Sequence, residues 1–345
     1  MRQDYIIGQA GNPFSATAAA CCRCYVSTIL AIEGRWPVET EVMVVDDFFS
    51  GIDQVELKLE TGTARFPIFY KSARMFTVLL PANWHRLRAL LPDPRFIPAQ
   101  IVPGVGAMGL SAFEYYDTDI GPYNEFSISI VLNAPYYAPV PGYNLMRQYA
   151  DRCLNVFIHR LPVTTDIALR GGVDYYNFPK FIAGIEFGDV AGRITCDLTR
   201  GDDRLLTVSG AKLATEDLGE LKFLINLYQY RQPQHTEFNL RVPQGVIKWL
   251  PNMVNWSFNP STDAGYELCQ SVIGNKALMY MYFPEMKAIL YGPEDFSVPL
   301  LKRTILTPGF VPHNKLVRPA KPPTAKPAAA KKTPGKAKKA SKKAG

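Results

Sequence analysis

Lys180 stands in an almost wholly apolar run, Phe178-Pro179-Lys180-Phe181-Ile182. An ordinary lysine has a pKa of about 10.4 and is protonated at neutral pH. Attack on a carbonyl carbon to form a Schiff base needs the neutral amine. Burial among apolar side chains disfavours the ammonium and lowers its pKa by about 3–5 units in the fully buried limit. Read as a strand, the run places Phe178, Lys180 and Ile182 on one face, because successive side chains alternate. The competing reading is a lysine whose stem lies along the apolar row while its head reaches water.

A second group of residues suits proton transfer. Phe113-Glu114-Tyr115-Tyr116-Asp117 and Tyr123-Asn124-Glu125-Phe126-Ser127-Ile128-Ser129-Ile130 flank the link Thr118-Asp119-Ile120-Gly121-Pro122. Aromatic and β-branched residues on both sides of a Gly-Pro link read as a hairpin. With its turn centred near Asp119-Ile120, Glu114 and Glu125 fall opposite each other, with Cβ atoms about 4.5–5.5 Å apart. Two carboxylates at that spacing do not both ionise freely, so one holds a proton near neutral pH. Phe126, Ile128 and Ile130 face one side of the second strand, and Glu125, Ser127 and Ser129 face the other. The bland alternative is an exposed hairpin with solvated acids.

These stretches, taken in order, resemble the acetoacetate decarboxylase family. The matching pattern is Phe113-Glu114, Gly121-Pro122-Tyr123-Asn124-Glu125, His159-Arg160-Leu161-Pro162-Val163-Thr164-Thr165, then Gly172 leading to Phe178-Pro179-Lys180. The similarity runs from roughly Thr61 to Leu301. The resemblance implies that Lys180 is the Schiff-base lysine and that Glu114 and Glu125 are the active-site carboxylates. It puts the family's arginine at or beside Arg74, with Tyr123, Phe178 and Phe181 against the substrate. A lysine activated by its surroundings is a general feature of that family.

Two departures bear on the reaction. The family's type enzyme has a second lysine directly after the catalytic one, where this chain has Phe181. The family's Gly-Arg-Glu signature reads Gly172-Val173-Asp174. Without the neighbouring ammonium, desolvation must supply nearly all of the pKa depression. The resemblance implies a lyase acting on a small oxo-acid, most directly by decarboxylating a β-keto acid such as acetoacetate. Aldol or dehydration chemistry through the same lysine, and a non-catalytic ligand-binding member, are the alternatives. No metal or organic cofactor is required, and a homo-oligomer is implied.

The elements that must position these groups read mostly as antiparallel strands. Strand patterns cover Phe76–Leu80, Ser127–Leu132, Phe181–Phe187, Arg193–Leu198, Leu205–Val208 and Glu237–Arg241, with Gly188-Asp189 and Gly201-Asp202-Asp203 as turns. Trp84 to Leu91 reads as a helix stopped by Pro92, and Asn144 to His159 as an amphipathic helix. Met279 to Tyr291 reads as a strand pair. His159-Arg160 could meet an anionic substrate, although packing at a helix end is the plainer role. The fold class is α+β and β-rich, and the resemblance implies an antiparallel cone-like β-barrel with peripheral helices.

Composition bounds the rest. The 345 residues, 47% hydrophobic and 12% aromatic, are enough for a large core. No apolar run is long enough to span a bilayer, and the start of the chain lacks a secretory pattern. The six cysteines form no disulfide framework: Cys21, Cys22 and Cys24 crowd together, and the others lie far apart. Reduced thiols and a cytoplasmic location follow. The four histidines stand singly, without metal-ligand spacing, and no nucleotide-binding glycine loop is present.

The last stretch differs in kind. From Lys315 to Gly345 there are 11 Lys or Arg and no acid; without it the formal charge changes from +7 to −4. Such a segment buries too little apolar area to offset its ordering entropy and is expected to be disordered. It is either a solubilising tail or a non-specific contact to a polyanion, and it has no aromatic residue for base stacking. The expected organisation is an N-terminal extension over 1–59, a domain resembling the acetoacetate decarboxylase family over 60–312 and the basic tail over 313–345.

Overall fold

Period-two alternation through the middle of the chain builds a closed barrel whose inner and outer faces carry different residues. The computed structural model describes residues 47–59, 61–229, 232–292 and 294–295. The crowded cysteines, most of the N-terminal extension and the basic tail lie outside the described residues.

The strands are β1 (Val55–Leu59), β2 (Gly62–Phe66), β3 (Ile68–Asn83), β4 (Gln100–Val102), β5 (Val105–Thr118), β6 (Tyr123–Val131), β7 (Cys153–Val163) and β8 (Lys180–Ile182). They continue as β9 (Gly184–Val190), β10 (Arg193–Arg200), β11 (Asp203–Ala211), β12 (Gly219–Gln229), β13 (Gln232–Trp249), β14 (Val254–Phe258) and β15 (Met279–Leu290). The helices are α1 (Trp84–Leu90), α2 (Tyr143–Ala150), α3 (Asp166–Arg170) and α4 (Asp263–Ser271).

Seven strands close the barrel in the order β12-β13-β15-β3-β5-β6-β7, and a parallel pairing of β7 with β12 seals it. Every other seam of the ring is antiparallel, as expected. Short β8 adds to β7 in parallel. A four-stranded antiparallel sheet, β14-β11-β10-β9, lies over the outer wall. The alternation on β3 shows the division: Met75 and Leu79 belong to the inner core, and Phe76, Val78 and Leu80 to the outer one. The outer core also takes in Ile194, Cys196 and Leu198 of β10, Leu87 of α1 and Leu268 of α4.

Helix α1 forms where expected. The Asn83 side chain accepts from the Arg86 N–H at 3.1 Å, and the helix ends ahead of Pro92. The helix expected from Asn144 to His159 is cut short. Only α2 is helical; Arg152 takes a positive φ of 53°, and Cys153 onward is strand β7. Leu154, Val156 and Ile158 then point into the lumen two residues apart, and this β-branched, aromatic run pairs on both sides with β6 and β12. Met279 to Leu290 is one continuous strand rather than a pair, and Phe181–Phe187 is split between the barrel and the outer sheet. The turn after β9 falls at Ala191-Gly192, both with positive φ, rather than at Gly188-Asp189, which lie within the strand. Among the described residues no helix is long and apolar enough to cross a membrane.

Candidate active site

Lys180 begins β8, where the chain returns to the barrel after a short π-helical turn over Gly171–Tyr175. Its register partner on β7 is Leu161, and the Leu161 N–H donates to the Pro179 carbonyl at 3.2 Å. Pro179, lacking an N–H, fits the start of a short added strand. The turn is tied to this strand by the Phe178 N–H, which donates to the Gly172 carbonyl at 3.0 Å. Gly172 lies directly against the lysine: a Cβ there would come within 2.4 Å of Lys180 Cδ and Cε. Only a residue without a side chain leaves the lysine its position.

The Lys180 side chain is 5% exposed. Its Nζ donates to Glu125 Oε2 at 2.8 Å. The rings of Tyr123 and Phe178 have centroids 5.8 and 5.9 Å from Nζ, a distance at which their faces favour a cation. Ile182, expected on the same face, is instead half-exposed, because the strand is only three residues long and its end leaves the barrel.

Glu125 points inward from β6 with Ser127 and Ser129, as the alternation predicts, while Phe126 and Ile128 pack outward. The Tyr115 hydroxyl donates to the second carboxylate oxygen at a long 3.4 Å. Burial, and then the charge of Glu125, pushes the Tyr115 and Tyr123 phenols well above their ordinary range, so both stay protonated at neutral pH. Tyr123 and Tyr70 share a hydroxyl–hydroxyl contact at 3.2 Å. Deeper in the lumen, the Thr77 hydroxyl donates to Ser111 at 2.9 Å.

Glu114 does not join this group. The observed register pairs Phe113 with Glu125 and Glu114 with Asn124, one residue away from the expected pairing. A one-residue slip turns a side chain to the other face of the sheet. Glu114 therefore faces the outer sheet, where it accepts from Arg74 Nε and, at 2.8 Å, from the Tyr116 hydroxyl. Arg74 is on the same outer face: its Nη1 donates to Asp189 at 2.9 Å and its guanidinium lies 5.3 Å from the Phe187 ring centroid. Phe181 also faces outward, packs on the outer core and lies under the Arg200 guanidinium at 5.3 Å. Of the seven residues singled out from sequence, Lys180, Glu125, Tyr123 and Phe178 come together, and Glu114, Arg74 and Phe181 are on the far side of the wall.

His159 and Arg160 serve a different acid. Both sit on β7 and bind Glu267 of α4, at 2.6 Å from His159 Nε2 and 3.2 Å from Arg160 Nη2. Burial works against the Glu267 carboxylate, but the hydrogen bonds from His159 and Arg160 outweigh it and hold its pKa at about 2. These residues fasten α4 to the barrel.

The inner cavity measures ≈ 60 Å³. Its described lining is dominated by Leu, Ile, Val and Phe side chains, and Glu125 and Lys180 are the charged residues in it. Sequence reasoning missed Tyr115 and Tyr70. Tyr115 was accessible to it, since it lies two residues from Phe113 on a strand whose alternate residues face in.

Comparison with known proteins places the chain. Several solved structures match the chain at low identity. An acetoacetate decarboxylase structure is 13% identical, covers 67% of this chain and 90% of its own, with a TM-score of 0.48. The acetoacetate decarboxylase of Legionella pneumophila subsp. pneumophila str. Philadelphia 1 is 14% identical, with 78% and 99% covered and a TM-score of 0.48. The enduracididine biosynthesis enzyme MppR complexed with pyruvate is 12% identical, with 66% and 89% covered and a TM-score of 0.47. No curated protein sequence matches the chain. The family model for acetoacetate decarboxylase matches residues 58–267, more than half of the 345 residues. With Lys180 and Glu125 both inside the matched span, the chain belongs to the acetoacetate decarboxylase family.

Proposed function

We propose that the protein is a Schiff-base lyase that decarboxylates a β-oxo acid through Lys180. The observation that carries this reading is the 2.8 Å contact between Lys180 Nζ and Glu125 Oε2 inside an apolar barrel. Membership of the family supports Schiff-base chemistry on an oxo-acid.

Transfer of a proton from the ammonium to Glu125 frees the nitrogen lone pair for the substrate's keto carbon. As the C–N bond forms, a proton moves from nitrogen to the former carbonyl oxygen and gives a carbinolamine. Glu125 returns its proton to that hydroxyl, which leaves as water, and a cationic iminium remains. The bond to the carboxylate then breaks, its electron pair enters the enamine, and carbon dioxide departs. The enamine carbon takes a proton by way of Glu125, recharged from water, and hydrolysis releases the ketone and the amine. Tyr115 steadies Glu125 throughout, and the Tyr123 and Phe178 rings favour the cationic nitrogen.

The lining bears on the bond that breaks. With Arg74 outside the wall, a carboxylate in the cavity meets, among the described residues, no cation except the nitrogen of Lys180. Loss of carbon dioxide cancels the buried anion against the iminium, so surroundings without a carboxylate clamp favour that step. The rival reading, a binding protein in which Lys180 and Glu125 form a permanent ion pair, rests on the same 2.8 Å contact.

Carbon dioxide release from 3-oxo acids, with exchange of the ketone's α-protons in D₂O, separates the two. The wild type should release carbon dioxide and exchange protons, Lys180→Met should do neither, and Glu125→Gln should fall by about 10²–10⁴-fold. Turnover by Lys180→Met at the wild-type rate would sink the proposal, and neither reaction in the wild type would leave the binding protein.

A further inference from the structure

The lumen of the barrel is longer than a small oxo-acid needs. Lys180 sits at one end, beside Leu161. From Leu161 to Leu154, β7 advances roughly 23 Å at about 3.3 Å per residue, and Ile158, Val156 and Leu154 face the lumen along the way. Leu79, Val131 and Ile225 continue this apolar lining on other strands. A second cavity of ≈ 310 Å³ opens at the far end, with Arg152, Glu216 and Lys222 in its lining. The two cavities share Leu154, Phe223 and Met281, which form the partition between them.

We infer that the substrate's carbonyl carries an apolar chain that runs from Lys180 along the lumen and past Leu154, Phe223 and Met281 into the second cavity. This rests on Lys180 as the Schiff-base residue and adds the substrate class. Two observations carry it. The inner cavity alone, at ≈ 60 Å³, is well below the roughly 150 Å³ that holds a benzene molecule, so a larger ligand must use the space beyond the partition. Met281 in the partition is unbranched and changes shape at little cost, as a yielding wall requires. The second cavity's charged lining suits a mouth open to water through which the ligand enters.

Borohydride trapping on the full chain, read as adduct mass on Lys180, tests this. Two series are used: acetoacetate against 3-oxooctanoate, and acetone against 2-heptanone, each pair differing by four methylenes. At limiting concentration the longer member of each pair should label about 100-fold faster, at roughly three- to fourfold per methylene. Met281→Trp, which thickens the partition, should compress that ratio about tenfold. The wild-type series decides the matter even if that variant does not fold. Equal labelling within each pair, or faster labelling by the short member, overturns the inference and leaves Lys180 as the reacting lysine. No adduct with any of the four removes the Schiff-base reading, and this inference with it.

Discussion

Replacing Gly172 by alanine should disable the lysine while leaving Lys180 itself unchanged in the sequence. An added Cβ would sit 2.4 Å from both Cδ and Cε of Lys180 and 3.0 Å from Nζ. Carbon atoms in ordinary contact stay about 3.5–4.0 Å apart, so the lysine must move by about 1 Å. It cannot do so freely, because its side chain is 5% exposed and held to Glu125 at 2.8 Å. Gly172 does not have a positive φ, so alanine meets no backbone strain there and the steric contact is isolated. A 1 Å misplacement of a reacting group costs about 10²-fold, and overpacking a tight site costs about 1–3 kcal/mol of stability. The assay is the rate of borohydride-trapped adduct formation with a 3-oxo acid, with a thermal melt alongside. Gly171→Ala serves as the comparison, since its Cβ would come only within 3.4 Å of Leu59 Cδ1. A folded Gly172→Ala that labels within about threefold of wild type would refute the argument that this glycine fixes the lysine.

Other consequences can be checked independently. Glu114→Gln and Arg74→Met, on the outer face, should each change adduct formation by less than about threefold, against a loss of about 10²-fold or more for Glu125→Gln; equal losses would show that Glu114 belongs to the site after all. The carboxylate of Glu267 has its pKa lowered from 4.5 to about 2, so its contribution to stability is full above pH 4.5 and lost as pH falls towards 2. After allowance for solvent screening that contribution is about 2 kcal/mol, and denaturant melts across that window should show Glu267→Gln losing the corresponding pH dependence; parallel curves for both proteins would contradict it. Deleting residues 315–345 takes the formal charge from +7 to −4, so the shortened protein should lose low-salt binding to duplex DNA and acidic vesicles. Binding of the full chain should weaken steeply with salt; equal binding by both forms would place the polyanion contact elsewhere.

The sequence made the lysine and one carboxylate visible for different reasons. Lys180 stood out because an ammonium has no evident partner in an apolar run. Glu125 stood out through the polar row that it forms with Ser127 and Ser129 on an otherwise apolar strand. The partnership of the two was not visible, because it depends on the parallel seating of β8 on β7, a pairing made across a loop that contains a π-helical turn. Glu114 was misplaced by a turn centred half a residue too late: the observed Tyr115–Tyr123 pair moves the centre to Asp119 and sends Glu114 through the wall. Between Asn144 and His159 the apolar residues fit both a helical and a strand period over a short window, and closure of the barrel through β12 settled the matter. Arg74 and Phe181 were assigned by family position, and the alternation on β3 and β8 turns both outward.

The proposed chemistry stands on a covalent nitrogen–carbon bond between Lys180 and a carbonyl substrate. Its most direct test is peptide mapping of the full chain after borohydride reduction in the presence of a 3-oxo acid and of its ketone product. One reduced adduct is expected, carried by the peptide that contains Phe178-Pro179-Lys180-Phe181, and none in Lys180→Met with its melting behaviour preserved. An adduct mapped to another lysine, or one that persists in a folded Lys180→Met, would contradict it.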